Sequence, residues 1–494
     1  MRPGEAAAER VSPRFGLPLS TDGLFDGRLT LDKLLIRGRP SSGVIPHSET
    51  RSTRRGLLLT GAGLSAAALA GCFDESTPDD SQASDGDGTV PGSWPQFGVG
   101  PQNTGYDPTV SGPGAGDPAL AWRDDAGTPT MNASPVVADG TVYVPGSGDP
   151  GPINAVDAET GEQVWQFEPA GYASSAPALA DGTLYVGTWG RRFYAVDAKD
   201  GEERWHREIG HLFSSSSPAV VDGTVYVGTA GDSPAVVGGP GDQRPFKAPT
   251  FLALDAATGE TRWRYDDFGR KDGIYSSPAV ADGRVYFGAE GVVHALDAEA
   301  GEVVWTRTVP THADSSPAIA DGVVYHAGPA DAGPETPAAV RAMDAATGET
   351  LWTAGADDMS PRTSPAIADG TVYVAANVDA ACPAGDDSGC YGKSQGRLYA
   401  LDAASGERRW TIEIALDTRS SPAVAGGVVY VGCGDGLSAV TVDGERAWRV
   451  NFKSDDSDDD DGPYVKSSPA VADGRVFVGA SDGRLRAIGA AGSG

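Results

Sequence analysis

Beyond residue 121 the chain is built from short apolar runs separated by turn residues, and the same order of runs keeps returning. One unit reads Ser-Ser-Pro-Ala-Val-Ala-Asp-Gly, then Thr-Val-Tyr-Val-Gly, then Leu-Tyr-Ala-Leu-Asp-Ala-Ala-Thr-Gly-Glu, then Arg-Trp. Short runs rich in Val, Tyr and Leu suit strands buried on both faces. Asp-Gly between two such runs, as at Asp139-Gly140 and Asp282-Gly283, predicts a tight hairpin, because Gly accepts positive φ. The Pro of the first phrase stands at 135, 177, 218, 278, 317, 365, 422 and 469, at spacings of 39 to 60 residues. The Trp phrase stands at 122, 165, 205, 263, 305, 352, 410 and 448. Both count eight, and the spacing is that of four-stranded propeller blades.

With the four strands of a unit called A (Ser-Pro), B (Val-Tyr-Val), C (Leu-Asp-Ala) and D (Trp), the two ends of the series are incomplete. The last unit has A, B and C but stops without a Trp, whereas Ala121-Trp122-Arg123 is a D phrase that precedes any A strand. The orphan D strand is expected to complete the last blade, closing the ring and removing an open sheet edge. An open solenoid or two smaller propellers would leave that complementarity unexplained. The expected fold is therefore all-β: an eight-bladed propeller of four-stranded antiparallel blades over residues 94–494, closed by an N-terminal strand.

Upstream, Arg54-Arg55 precede a mild apolar run ending Leu69-Ala70-Gly71-Cys72. The run is short and rich in Gly and Ala for a transmembrane span. Residues 51–72 match a twin-arginine signal whose ending resembles a lipobox, with Cys72 as the lipidated residue, and this places the protein outside the cytoplasm, anchored to the outer surface of the cell membrane. An uncleaved membrane anchor is the competing reading. Residues 1–50 form a leader of doubtful translation, with a downstream start expected near Val44, and residues 73–93 read as a disordered acidic tether.

Charge narrows the partners. The formal net charge is -30. So acidic a surface repels nucleic acid and anionic membranes, and it suits hydration in concentrated salt, as in a halophile; a dedicated cation-binding protein would need a concentrated site that the sequence does not offer. Of the four Cys, Cys382 and Cys390 flank a flexible turn and are expected to form a local disulfide in an exported protein. Cys433 reads as a small buried apolar residue.

The phrase from Ala155 through Asp157, Thr160 and Gly161 to Trp165 resembles the tryptophan-docking motif of PQQ-dependent dehydrogenases, and it returns around Trp205, Trp263, Trp305, Trp352 and Trp410. Trp94-Pro-Gln-Phe-Gly through Asn103-Thr-Gly-Tyr106 resembles the lead-in of PQQ-repeat propellers. The resemblance covers roughly residues 94 to 490 and implies the fold; the motif glues blades together and carries no chemistry. Enzymes of that family hold PQQ and calcium on the axis, commonly with a vicinal Cys-Cys disulfide, which this chain lacks. Other members, such as the outer-membrane assembly lipoprotein, bind no cofactor and act as scaffolds. Size and anchor resemble the second group, so no cofactor is expected, with PQQ as the alternative.

Alternating strands put the A–B and C–D turns on one face and the B–C and D–A connections on the other. The long insertions, near residues 230–250, 327–339, 375–396, 266–275 and 453–465, all fall in the second set. Loops elaborated on one face of a regular scaffold point to binding there. On that face the residue three before each A-strand Pro is expected to look toward the axis: Asn132, Ser174, Ser215, Tyr275, Asp314, Arg362, Arg419 and Lys466. Arg362, Arg419 and Lys466 form a basic group suited to a carboxylate or phosphate ligand, or to the tricarboxylate PQQ. The plainer reading is that they neutralise acidic loops. The Asp-rich run 455–461 lacks the closing Glu of a calcium loop, the His residues show no metal spacing, and no nucleophile motif occurs. The sequence thus predicts a monomeric scaffold that binds a protein or a small anionic ligand, with a quinoprotein alcohol or sugar dehydrogenase as the alternative.

Overall fold

The computed structural model describes residues 92–490, apart from 125–129, 149–150, 214, 232–247, 269–272, 290, 310–314, 329–338, 356–359, 362, 379–394 and 453–462. Every regular element among the described residues is a strand, and the strands form eight separate sheets. Seven sheets take their strands in A-B-C-D order from consecutive sequence. Blade 1, for instance, is Val136–Ala138, Thr141–Pro145, Ile153–Asp157 and Gln163–Phe167. Blade 8 is Ala470–Ala472, Arg475–Gly479 and Leu485–Ala490, completed by Pro118–Arg123 from the N-terminal side. That strand lies antiparallel to the last one, with Leu120 opposite Ile488 and Trp122 opposite Ala487. The predicted closure is realised.

The repeat phrases explain both the blade and its seam. In the C–D turns of blades 1 to 6 the Asp carboxylate accepts hydrogen bonds from the turn that follows: Asp157 Oδ1 takes the Thr160 N–H at 2.8 Å and the Thr160 hydroxyl at 2.9 Å. The Gly of Thr-Gly-Glu has positive φ and leaves room for the Trp of the preceding blade; a Cβ on Gly161 would meet Trp122 Cδ2 at 2.7 Å. The Trp indole then donates to a carbonyl of that neighbour: Trp165 to Ala198 at 2.9 Å, Trp263 to Ala298 at 2.9 Å, Trp305 to Ala345 at 3.0 Å. The B-strand Tyr shares the same acceptor, as Tyr143 does at Ala198 and Tyr286 at Ala345. In blades 1 to 5 the seam is thus an aromatic pair and a forked hydrogen bond over interlocking apolar side chains.

Blade 6 departs from the expected loop boundaries. Residues 375–396 were expected as a loop, but strands B and C run on as Thr371–Val378 and Gln395–Asp402, with Asn377 opposite Gly396. The extension is held by a fifth strand, Ser360–Pro361, whose residues lie opposite Asn377 and Ala376. Small residues at 375, 376 and 396 allow this layering, and the apolar alternation there was too weak to predict it.

Candidate functional site

The inner strands of a propeller leave one edge facing the central tunnel, where backbone N–H groups need partners. The lead-in supplies them in blade order. Carbonyls of Trp94 and Pro95 accept from Val137 and Leu179, the Gln96 side chain accepts from Val220, and the carbonyls of Pro101, Gln102, Thr104 and Gly105 accept from Val280, Ile319, Ile367 and Val424. Ser111 then accepts from Gly474 at the A–B turn of blade 8. Asn103, at φ 55°, points its Nδ2 at the carbonyls of Pro278 (2.9 Å) and Pro317 (3.2 Å). The segment is a stopper for the tunnel on the A–B side. The resemblance had marked these residues, but no role was read from them.

Next along the axis lies a belt. In blades 2 to 8 the N–H of the residue just before the A-strand Pro donates to the hydroxyl at the same position in the following blade: Ala176 to Ser217, Ser217 to Ser277, Ser277 to Ser316, Ser316 to Ser364, Ser364 to Ser421, Ser421 to Ser468, and Ser468 to Ser134. One link of eight is missing, because residue 176 is Ala and offers no hydroxyl to Ser134. The residue before that binds within its own blade; Ser467 both donates to and accepts from Gly479 at 2.9 Å. The repeated Ser-Ser is thus structural. Between stopper and belt, a space lined by Trp94, Phe97, Asn103, Pro365, Pro422 and Pro469 admits about one water molecule.

Beyond the belt come the predicted mouth residues. Among those described, Asn132, Ser215, Arg419 and Lys466 are exposed and Ser174 and Tyr275 half-buried, while the next residue in each blade is buried. This is the register expected of side chains at a tunnel mouth. Asn132 lies within 3.5 Å of the Thr130 hydroxyl, and Ser174 accepts from Trp189 Nε1, whose ring stacks on Tyr172. Arg419 and Lys466 are brought into one cluster. Lys466 Nζ sits 5.7 Å from the Tyr464 ring centre, and the Tyr464 hydroxyl donates to Asp417 Oδ2 at 3.1 Å. Asp417 also takes a hydrogen bond from Asn377 Nδ2. Burial first, and then the Asp417 carboxylate, push the Tyr464 hydroxyl above its ordinary pKa, while Arg419 acts in the opposite direction. The sequence reading missed Asn377, Asp417 and Tyr464, which come from a strand extension and two connections whose residues do not repeat between blades. Arg362, Asp314, Cys72, Cys382, Cys390 and the Asp-rich run lie outside the described residues. Cys433 is fully buried as expected, its thiol pushed up to about 12 by burial.

For PQQ, the fit is poor. Arg419 and Lys466 could face carboxylates, but among the described residues no group of three His, Cys, Asp or Glu could hold a calcium ion beside the quinone.

Stopper, belt and tryptophan seams together define a class, the PQQ-type repeat propeller. A family model described as outer membrane protein assembly factor BamB matches residues 108–244, 250–420 and 394–493, and the chain belongs to that family. Its relatives include proteins of different kinds. The quinohemoprotein alcohol dehydrogenase of Comamonas testosteroni is 31% identical over 35% of this chain and 25% of its own length. The outer membrane protein assembly factor BamB of Yersinia pestis is 26% identical over 39% of this chain and 47% of its own. The chain thus spans less than half of either relative. Among solved structures, BamB from Moraxella catarrhalis superposes with a TM-score of 0.56 at 18% identity, covering 76% of this chain and all of that one. The Comamonas dehydrogenase gives 0.57 at 18% identity over 80% of each chain. These superpositions establish the fold alone.

Proposed function

We propose that this chain is an extracytoplasmic propeller, lipid-anchored at Cys72, that binds a protein or a small anionic ligand on its loop-bearing face and is not an enzyme. The supporting observation is the asymmetry of the axis. The lead-in fills the A–B side strand by strand, so a partner would meet the opposite mouth, around Asn132, Tyr275, Arg419 and Lys466. There Lys466 lies over the Tyr464 ring and Arg419 acts on the Tyr464 hydroxyl, so two cations gather at one point of an otherwise acidic chain. Likeness to proteins named as assembly factors agrees with a protein partner. The test measures binding of citrate, phosphate and PQQ by calorimetry to the wild type and to an Arg362→Ala/Arg419→Ala/Lys466→Ala variant. Equal behaviour of the two would remove the mouth as an anion site.

The second reading is a quinone-dependent alcohol or sugar dehydrogenase, favoured by relatives that carry that name. Native mass spectrometry separates the two: a bound quinone, with dye reduction on addition of alcohols or sugars, would establish the enzyme.

A further inference from the structure

The seam between blades 4 and 5 differs from the others. At one position on strand B, facing the preceding blade, the other seven blades carry Val144, Val186, Val227, Phe287, Val374, Val431 and Val478, whereas blade 5 carries His326. Directly opposite on strand C stands Arg341. Their flanking neighbours Val324 and Met343 pack on Tyr286, Val293 and Ala295 of blade 4, which fixes the direction in which the pair points. His326 is fully buried and Arg341 only 8% exposed. Neither His326 ring nitrogen, nor Arg341 Nη1, has a hydrogen-bond partner.

A buried guanidinium stays charged and calls for an opposite charge nearby. The equivalent C-strand position of blade 8 shows the ordinary solution: Arg486, 4% exposed, is paired with Asp482 and stacked 4.7 Å over Phe452. Among the described residues Arg341 has no such carboxylate. A neutral imidazole always carries one N–H, so His326 adds a second buried donor with no acceptor. Water would satisfy the donors but not the charge. An ion of halide size satisfies both, and the near-complete burial of the pair favours a small one.

We propose that a halide-sized anion is bound between blades 4 and 5, held by Arg341 Nη1 and an N–H of His326. The site is separate from the tunnel mouth and does not depend on what binds there. The ion would hold the two blades together across a seam that lacks a fully apolar lining. Burial already depresses the His326 pKa, to about 3, so the ring is neutral near pH 7 and donates a single hydrogen.

Crystals of the full chain soaked in sodium bromide test this directly. An anomalous peak within hydrogen-bond reach of Arg341 Nη1 and His326 is expected, and its absence overturns the proposal. So does a chain carboxylate found on Arg341 in that experiment. In solution, the wild type should melt at higher temperature in sodium chloride than in sodium gluconate of equal ionic strength, because a ligand bound only to the folded form raises Tm. An Arg341→Met/His326→Val variant should lose that difference while remaining folded, because apolar residues replace a buried charge without loss of packing. A difference of equal size in both proteins counts against the site.

Discussion

Trp448 donates its indole hydrogen to the carbonyl of Gly114 at 2.8 Å, across 334 residues of sequence. Every other seam Trp docks on the C–D turn of the next blade. Blade 8 has no such turn, because its fourth strand comes from the other end of the chain. The segment around Pro113 and Gly114 takes its place, receiving Trp448 and also the Tyr430 hydroxyl at 2.9 Å. The ring is therefore closed twice, by a strand and by a substitute turn.

Trp448→Phe should keep the packing and lose the donor, costing about 1 kcal/mol, whereas Trp448→Ala should cost about 3–5 kcal/mol. Denaturant titration measures both. A Phe variant as stable as the wild type would mean that the Gly114 carbonyl contributes nothing.

Asn103→Ala leaves two buried carbonyls, of Pro278 and Pro317, without their side-chain donor. Such a loss is worth about 1–3 kcal/mol. Thermal melts should show the drop, and an unchanged midpoint would show that the stopper is held by its backbone alone.

Ala176→Ser supplies the missing eighth acceptor of the belt, facing the N–H of Ser134. A stabilisation of about 1 kcal/mol is expected. A loss would indicate that the buried site at 176 is too tight for an oxygen.

Acid should weaken the C–D turns. Asp255 and Asp402 are held at about 2, chiefly by Arg262 and Arg409 and then by Thr258 and Ser405. A carboxylate with depressed pKa stabilises the fold above its unfolded value, near 3.9. That contribution is lost as pH falls through about 2. An Asp255→Asn/Asp402→Asn variant should therefore show a shallower decline of Tm between these values, followed by calorimetry.

What could be read in advance follows from repetition. Trp165, Gly161 and Asp157 meet the same partners in blade after blade, so eight copies announce one interaction. The belt serines also repeat, yet they bind residues 39 to 60 positions away, or 334 for Ser468 and Ser134, and the sequence gives no sign of which one. The stopper occurs once and acts mostly through backbone carbonyls, which no side-chain pattern records. Asp417 and Tyr464 likewise occur once, on connections that vary from blade to blade. His326 is one of several scattered histidines in the sequence, and only its register against Arg341 gives it meaning.

The order of synthesis makes the stopper unusual. Residues 94–105 leave the ribosome before any strand they touch, and their last partners follow more than 300 residues later. The nascent chain can seat this segment only stepwise, with Gly105 left without its partner until Val424 of blade 7 has emerged.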